Sequence, residues 1–352
     1  MSHPIHTQLD RLTEQHNDRR STVFDVQIAL DADALRVHGT VLERAQHAAV
    51  MQLVQPHVAG SLLDTVTVLL EGADYGWAVV RWAVADVRAT PSRAAELVSE
   101  ARYGESVEVL RRENSWCHIR QSDGYLGWVS ELALCSSDVA TPYRVECTHA
   151  IATRWQPIVG LEGEQIGLLP WGVTLPVLEF RDRLAFFMSP DGVPCTIEAE
   201  SLMLLADRPT LTTAGVAEML TQIRQFVGVP YLWGGTSAYG FDCSGLAQAA
   251  YRWLGATLPR DADQQATVGQ RVSRAEVQAG DLLFWAVNRG DEPQRQQNIN
   301  HVSLALDNDL MIHANQRNWG VSIDPINAIQ ANYERNTDPG LTMIRRLAPS
   351  DE

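Results

Sequence analysis

The 352 residues contain no Cys-X-X-Cys pair, and the five cysteines at 117, 135, 147, 195 and 243 are scattered. A metal–thiolate framework is therefore not expected, and an odd count leaves at least one thiol outside any complete disulfide framework. No apolar run approaches the roughly 18 residues that a membrane span needs. Residues 1–20 are polar and lack the apolar core of a secretory signal. The chain as given thus reads as cytoplasmic, or as exported only if a signal was removed. Positive charge is scarce: 28 Arg and Lys face 43 Asp and Glu, for a formal charge of −15. Nucleic acid and anionic membranes reward clustered cations, so neither is an expected partner. Nothing calls for a metal or an organic cofactor. The length suits two to four modest domains.

What is present centres on Gly228-Val-Pro-Tyr231-Leu-Trp233-Gly234-Gly235, followed by Phe241-Asp242-Cys243-Ser244-Gly245-Leu246. A glycine-rich turn delivers one cysteine to the first turn of a helix. Leu246, Ala247, Ala250 and Leu254 recur on one face, and Gly255 is placed to end it. A cysteine at a helix N-terminus meets unpaired N–H groups and the positive end of the dipole. Both favour the thiolate, which is a nucleophile's setting.

In chain order, residues 1–80 read as a polar arm or leader helix and then an α/β segment. Its pieces are strands near 23–28 and 35–41, a helix over 42–58 and a strand over 65–69. His38, His47 and His57 share no ligand spacing and read as surface or structural residues. Residues 81–136 break into short alternating strands divided by Gly, Pro, Asp and Asn turns, the pattern of a small β-barrel. The closing Asp123-Gly-Tyr125-Leu-Gly-Trp-Val129 resembles a bacterial SH3-like domain. Residues 141–206 repeat the theme more faintly, as a second such barrel without that motif. Over 211–350, helices come first and an antiparallel sheet afterwards, an α+β domain. Asn288–Asn298 reads as a long polar loop. The whole is a multidomain α+β chain.

The nucleophile needs a base, and the last sheet carries two histidines. A three-residue turn at 307–309 sets Leu306 opposite Leu310 and His313 opposite Ser303. His301 and His313 then share a face of the sheet, diagonal to each other, whereas a two-residue turn would separate them. With the odd turn, His301 serves as base and His313 orients it.

These motifs, with Pro259-Arg260-Asp261, Gly280-Asp281-Leu282, His301-Val302 and His313-Ala314, resemble the NlpC family of papain-like cell-wall cysteine peptidases over roughly 213–348. The resemblance implies cleavage of the γ-D-glutamyl–diamino acid bond in peptidoglycan stem peptides. It makes Cys243 the nucleophile, His301 the base and His313 the orienting residue, and it puts Tyr231 and the Cys243 N–H near the oxyanion. Tandem SH3-like domains ahead of such a peptidase resemble the subgroup acting on free stem peptides during wall recycling. That implies capture of the free L-alanine amine by Tyr125 and Asp242, with Glu96 as a further ligand. Ser244, Arg260 and Asp261 are candidates for the rest of the substrate, Ser244 and Arg260 for its α-carboxylate, and Trp233 for the cleft wall. Ala262 stands where relatives often carry serine, so one expected hydroxyl is missing.

Overall fold

The computed structural model describes residues 4–30, 34–58, 60–136, 140–287, 299–327 and 339–347. The expected loop at Asn288–Asn298 lies outside them. Among the described residues, no helix is long and apolar enough to cross a membrane. None of the five cysteines is joined in a disulfide.

The arm is a helix, Pro4–Gln15, which packs Ile5 and Leu9 into the core of the N-terminal segment. Strand Phe24–Leu30 pairs antiparallel with Ala34–Val41, and helix Arg44–Val54 crosses to Ser61–Val68, which pairs parallel with Ala34–Val41. Val37, Val41, Val50 and Val54 bury fully between helix and sheet. Alternation of period two and a stripe of period near four are what such a two-layer unit requires.

The two β regions that follow are open sheets, which corrects the expectation of closed barrels. The first has seven strands, with edges at Leu134–Cys135 and Leu97–Arg102. The second divides into a five-stranded sheet, edged by Gln165–Pro170 and Glu179–Arg181, and a separate three-stranded one. Local alternation marks each strand, whereas closure depends on which edges meet, and alternation is silent about that.

The C-terminal domain carries helices α1 (Thr213–Ile223), α2 (Cys243–Trp253) and α3 (Ala262–Gln265). Its strands are β1 (Gln270–Arg271), β2 (Leu282–Val287), β3 (Ile299–Ala305), β4 (Leu310–Asn315), β5 (Gly320–Pro325) and β6 (Pro339–Arg346), in the antiparallel order β1-β6-β2-β3-β4-β5. Strand β2 is central and nearly all apolar because both faces are covered. Leu282, Phe284 and Ala286 pack towards α2 with Leu246 and Ala250. Leu283 and Trp285 fill a second cluster with Met311 and Ile344. Helix α2 thus lies against the sheet that holds the histidines, and its first residue is the cysteine.

Candidate active site

Two glycines that admit no side chain seat the start of helix α2, one against the first β region and one against its own preceding loop. A Cβ on Gly234, whose φ is +79°, would lie 2.5 Å from the Leu97 carbonyl oxygen, and one on Gly245 would lie 2.1 Å from that of Gly235. Between them Asp242 caps the helix, accepting the Gly245 N–H at 2.7 Å. It also accepts from Gly234 N–H at 2.9 Å, Ser244 Oγ at 3.2 Å and Arg260, with Nη2 at 2.6 Å and Nη1 at 3.1 Å. A carboxylate offers about four lone-pair sites, and here the protein takes them all. Asp242 is thus a helix cap and counter-ion with no acceptor left for a substrate ammonium, the role expected of it. Arg260 is likewise withdrawn from the α-carboxylate role. It is 1% exposed, and it spends its guanidinium on Asp242, Ser244 Oγ and Ser99 Oγ.

The same arrangement corrects the expected thiolate. Burial, and then the charge of Asp242, push the Cys243 thiol up to about 12, although the backbone N–H groups of Val302 and Ser244 act in the opposite sense. The helix terminus favours an anion, but a capping carboxylate already occupies it. Burial and Asp242 therefore oppose the thiolate that the helix terminus favours.

The two histidines meet as the odd-length turn requires. Leu304 pairs with Ile312 and Ala305 with Met311, and Leu306 N–H donates to the Leu310 carbonyl. His301 Nε2 lies 2.7 Å from His313 Nδ1, and His313 Nε2 lies 3.0 Å from Asp324 Oδ2. Hydrogen bonds from His313 and Ser322 hold Asp324 below the usual carboxylate range, so it accepts. His313 Nε2 must then carry the proton. In neutral rings His313 Nδ1 becomes an acceptor, His301 Nε2–H donates to it, and His301 Nδ1 keeps a bare lone pair. The Asn315 amide nitrogen also lies 3.0 Å from His313 Nε2, but it donates instead to Ser322 Oγ at 2.9 Å. Burial, and then His313, push His301 well below the ordinary histidine range. The Val302 N–H faces the cysteine sulfur, and Val302 follows His301 directly in β3, the strand that α2 packs against. Asp324 was not expected from the sequence. Its signal was register: His313 pairs with Ser322, and Asp324, two residues on, shares its face.

Cys243 opens into a pocket of about 490 Å³. Tyr231, Trp233, Asp242, Ser244, Tyr125, Glu96 and Asp261 all line it, so the structure gathers these expected residues in one place, Asp242 with its oxygens already engaged. Burial raises the Tyr231 phenol, so it keeps a proton to donate. Trp233 is 56% exposed, a rim residue whose indole N–H donates to Glu96 Oε1 at 2.8 Å. Tyr125 is buried and donates to Asp261 Oδ2 at 3.1 Å. Burial also raises the Asp261 carboxyl. Arg20, which nothing in the sequence pointed to, closes one wall from the N-terminal segment. Its guanidinium bonds Asp18, Asp261 and Asp263, and its backbone carbonyl accepts from Leu126 N–H.

Compared with known proteins, residues 228–336 match the NlpC/P60 family and residues 83–134 the bacterial SH3 domain. The gamma-D-glutamyl-L-lysine dipeptidyl-peptidase of Bacillus cereus is 26% identical over 67% of this chain and 72% of its own. That of Bacillus subtilis is 28% identical over 70% and 80%. A crystal structure of an NlpC/P60 family protein from Bacillus cereus superposes on 78% of this chain and 100% of its own, with TM-score 0.68 at 21% identity, a likeness of fold.

Proposed function

We propose that this chain, a cysteine peptidase of the NlpC/P60 family with a bacterial SH3 domain ahead of its catalytic domain, hydrolyses the γ-D-glutamyl–diamino acid bond of free peptidoglycan stem peptides whose L-alanine amine is unblocked. The observation that carries this reading is the pocket beside Cys243, whose far side is lined by Glu96, Tyr125 and Asp261. Two carboxylates and a phenol suit an ammonium. Asp261 already has Arg20, so the carboxylate that an acyl cap on the amine would leave without a cation is Glu96, which holds only the neutral Trp233 indole N–H, and that difference discriminates between the two peptides. The names of the Bacillus relatives support the same bond class. The reading includes two SH3-like modules, a papain-like catalytic domain and a cytoplasmic role in recycling wall fragments.

The proton inventory sets the mechanism. His301 Nδ1 takes the Cys243 proton as the sulfur attacks the γ-glutamyl carbonyl. The oxyanion meets the Cys243 N–H and the Tyr231 phenol. The imidazolium shares its charge through His313 towards Asp324, then hands the proton to the departing amine of the diamino acid. Water, activated by His301, releases L-Ala-γ-D-Glu from the thioester.

The test is mass spectrometry of products from L-Ala-γ-D-Glu-diaminopimelate, run beside the same peptide acetylated on its alanine. Cleavage of the free peptide alone supports the reading. Equal cleavage of both removes the amine gate, and cleavage of neither removes the substrate. Turnover persisting in Cys243→Ala would take the cysteine out of the mechanism.

A further inference from the structure

A second cavity, of about 300 Å³, lies at the far end of helix α2 from Cys243, where the two β regions meet the catalytic domain. Three arginines line it: Arg102 from the first sheet, Arg208, and Arg252 in the last turn of α2. Three guanidiniums carry 15 N–H donors. Among the described residues, their side chains make two hydrogen bonds to protein: Arg102 Nη2 to Glu105 Oε1 at 3.0 Å and Arg252 Nη2 to Gln248 Oε1 at 2.9 Å.

The other polar groups of the wall are short of acceptors in the same way. Arg102 Nε, Arg252 Nη1, Trp171 Nε1, Trp253 Nε1 and Ser106 Oγ are all buried without a partner. Arg102, Trp171 and Trp253 are each more than nine-tenths buried. The nitrogen atoms in this set are N–H donors only. The anionic side chains facing them are Glu105 and Asp123, and Asp123 is occupied by Gln248 Nε2 at 2.7 Å and Tyr125 N–H. The formal balance is three cations against two anions in a chain of net charge −15. Burial, and then repulsion by Arg102, push Arg252 down to about 10. Unpaired buried charge of one sign is costly, and the planar guanidinium fork matches oxyanion geometry.

We propose that this cavity binds a small oxyanion, a carboxylate or a phosphate, gripped between Arg102 and Arg252 against the stacked indoles of Trp171 and Trp253. The site is separate from the peptidase pocket. It spans three of the four folded parts, the two β regions and the C-terminal domain, so its ligand would tie both β regions to the rear of the nucleophile helix.

The full chain would be titrated calorimetrically at low ionic strength with sodium phosphate and with sodium malonate. Sodium chloride of equal ionic strength is the control. One-site binding of either oxyanion is expected. Tighter phosphate assigns a phosphoryl ligand, and tighter malonate a carboxylate. Arg252→Gln should weaken binding about tenfold, the worth of one charge-assisted contact. Crystals of the unaltered chain soaked in selenate give an independent readout, an anomalous peak in this cavity. No heat beyond chloride, affinity unchanged in Arg252→Gln, or selenate only elsewhere would each overturn the proposal.

Discussion

Asp324 carries the sharpest test of the proposed proton path. It accepts from His313 Nε2 at 3.0 Å, and from Ser322 Oγ at 2.5 Å and Asn318 Nδ2 at 3.2 Å. At rest it only fixes the His313 tautomer. In the transition state, His301 gains a proton that its buried setting opposes, and the growing charge is stabilised through His313 by this carboxylate. Replacing Asp324 with Asn keeps shape and one acceptor but removes the charge. A charge-assisted hydrogen bond is worth about 1.5–3 kcal/mol and a neutral one about 1. The carboxylate is 33% exposed, so part of the difference is screened. What remains, roughly 1–1.5 kcal/mol, corresponds to a fall in kcat of about tenfold. Asp324→Ala also frees the tautomer and should lose more. KM should move little, because Asp324 does not line the pocket. The assay is steady-state cleavage of the stem tripeptide, with urea midpoints to confirm the fold. Asp324→Ala with kcat within twofold of the parent and an unchanged midpoint would refute the relay.

Three other outcomes follow from the same site. Arg260→Met strands the carboxylate of Asp242 in a buried setting, where breaking such a pair costs about 3–5 kcal/mol; a loss below 1 kcal/mol in urea unfolding would mean that Asp242 finds another partner. Glu100 accepts the Thr236 N–H at 2.8 Å, and burial raises it from 4.5 to about 7. The folded chain therefore binds its proton more tightly than the unfolded one. Stability should fall as pH rises from about 4.5 through 7, by up to roughly 3 kcal/mol. Glu100→Gln should flatten that slope, and an unchanged slope in the variant would exclude Glu100 as its source. Finally, iodoacetamide should alkylate Cys243 faster and faster from pH 7 to 10, because burial and Asp242 hold the thiol protonated. A plateau below pH 7 would reveal a resting thiolate–imidazolium pair instead.

What could be read from the chain was local. Spacing put Cys243 on the first turn of a helix, and the parity of one turn put His301 and His313 on a single face. Both depend on neighbours in sequence. What escaped depends on pairing across the fold. Asp324 reads as an ordinary charge near a strand end until the β4–β5 register sets it beside His313. Asp242 reads as an open carboxylate until Arg260, 18 residues on, fills it. The thiol differs from its local reading for the same reason: the helix dipole is a local property, whereas burial and the charge of Asp242 are tertiary. Arg20 lay furthest out of reach, 241 residues from its partner Asp261.

Every escape but Asp324 and the thiol involves arginine, and the composition gives a reason. All 28 basic residues are arginine; the chain has no lysine. A lysine ammonium is a strongly hydrated point charge, whereas guanidinium is more weakly hydrated and presents a planar fork that holds two carboxylate oxygens at once. An acidic chain that must bring an N-terminal segment, a bacterial SH3 domain and a catalytic domain around one cleft needs cations able to work at buried junctions. Arg20 joins the first part to the last, Arg260 reaches Ser99 of the first sheet while holding Asp242, and Arg102 faces Arg252 across the rear cavity. The first two have their carboxylates in place. Arg252 has none in hydrogen-bonding contact, and that imbalance is why the rear cavity reads as a site awaiting an anion, while Arg20 and Arg260 read as joints already closed.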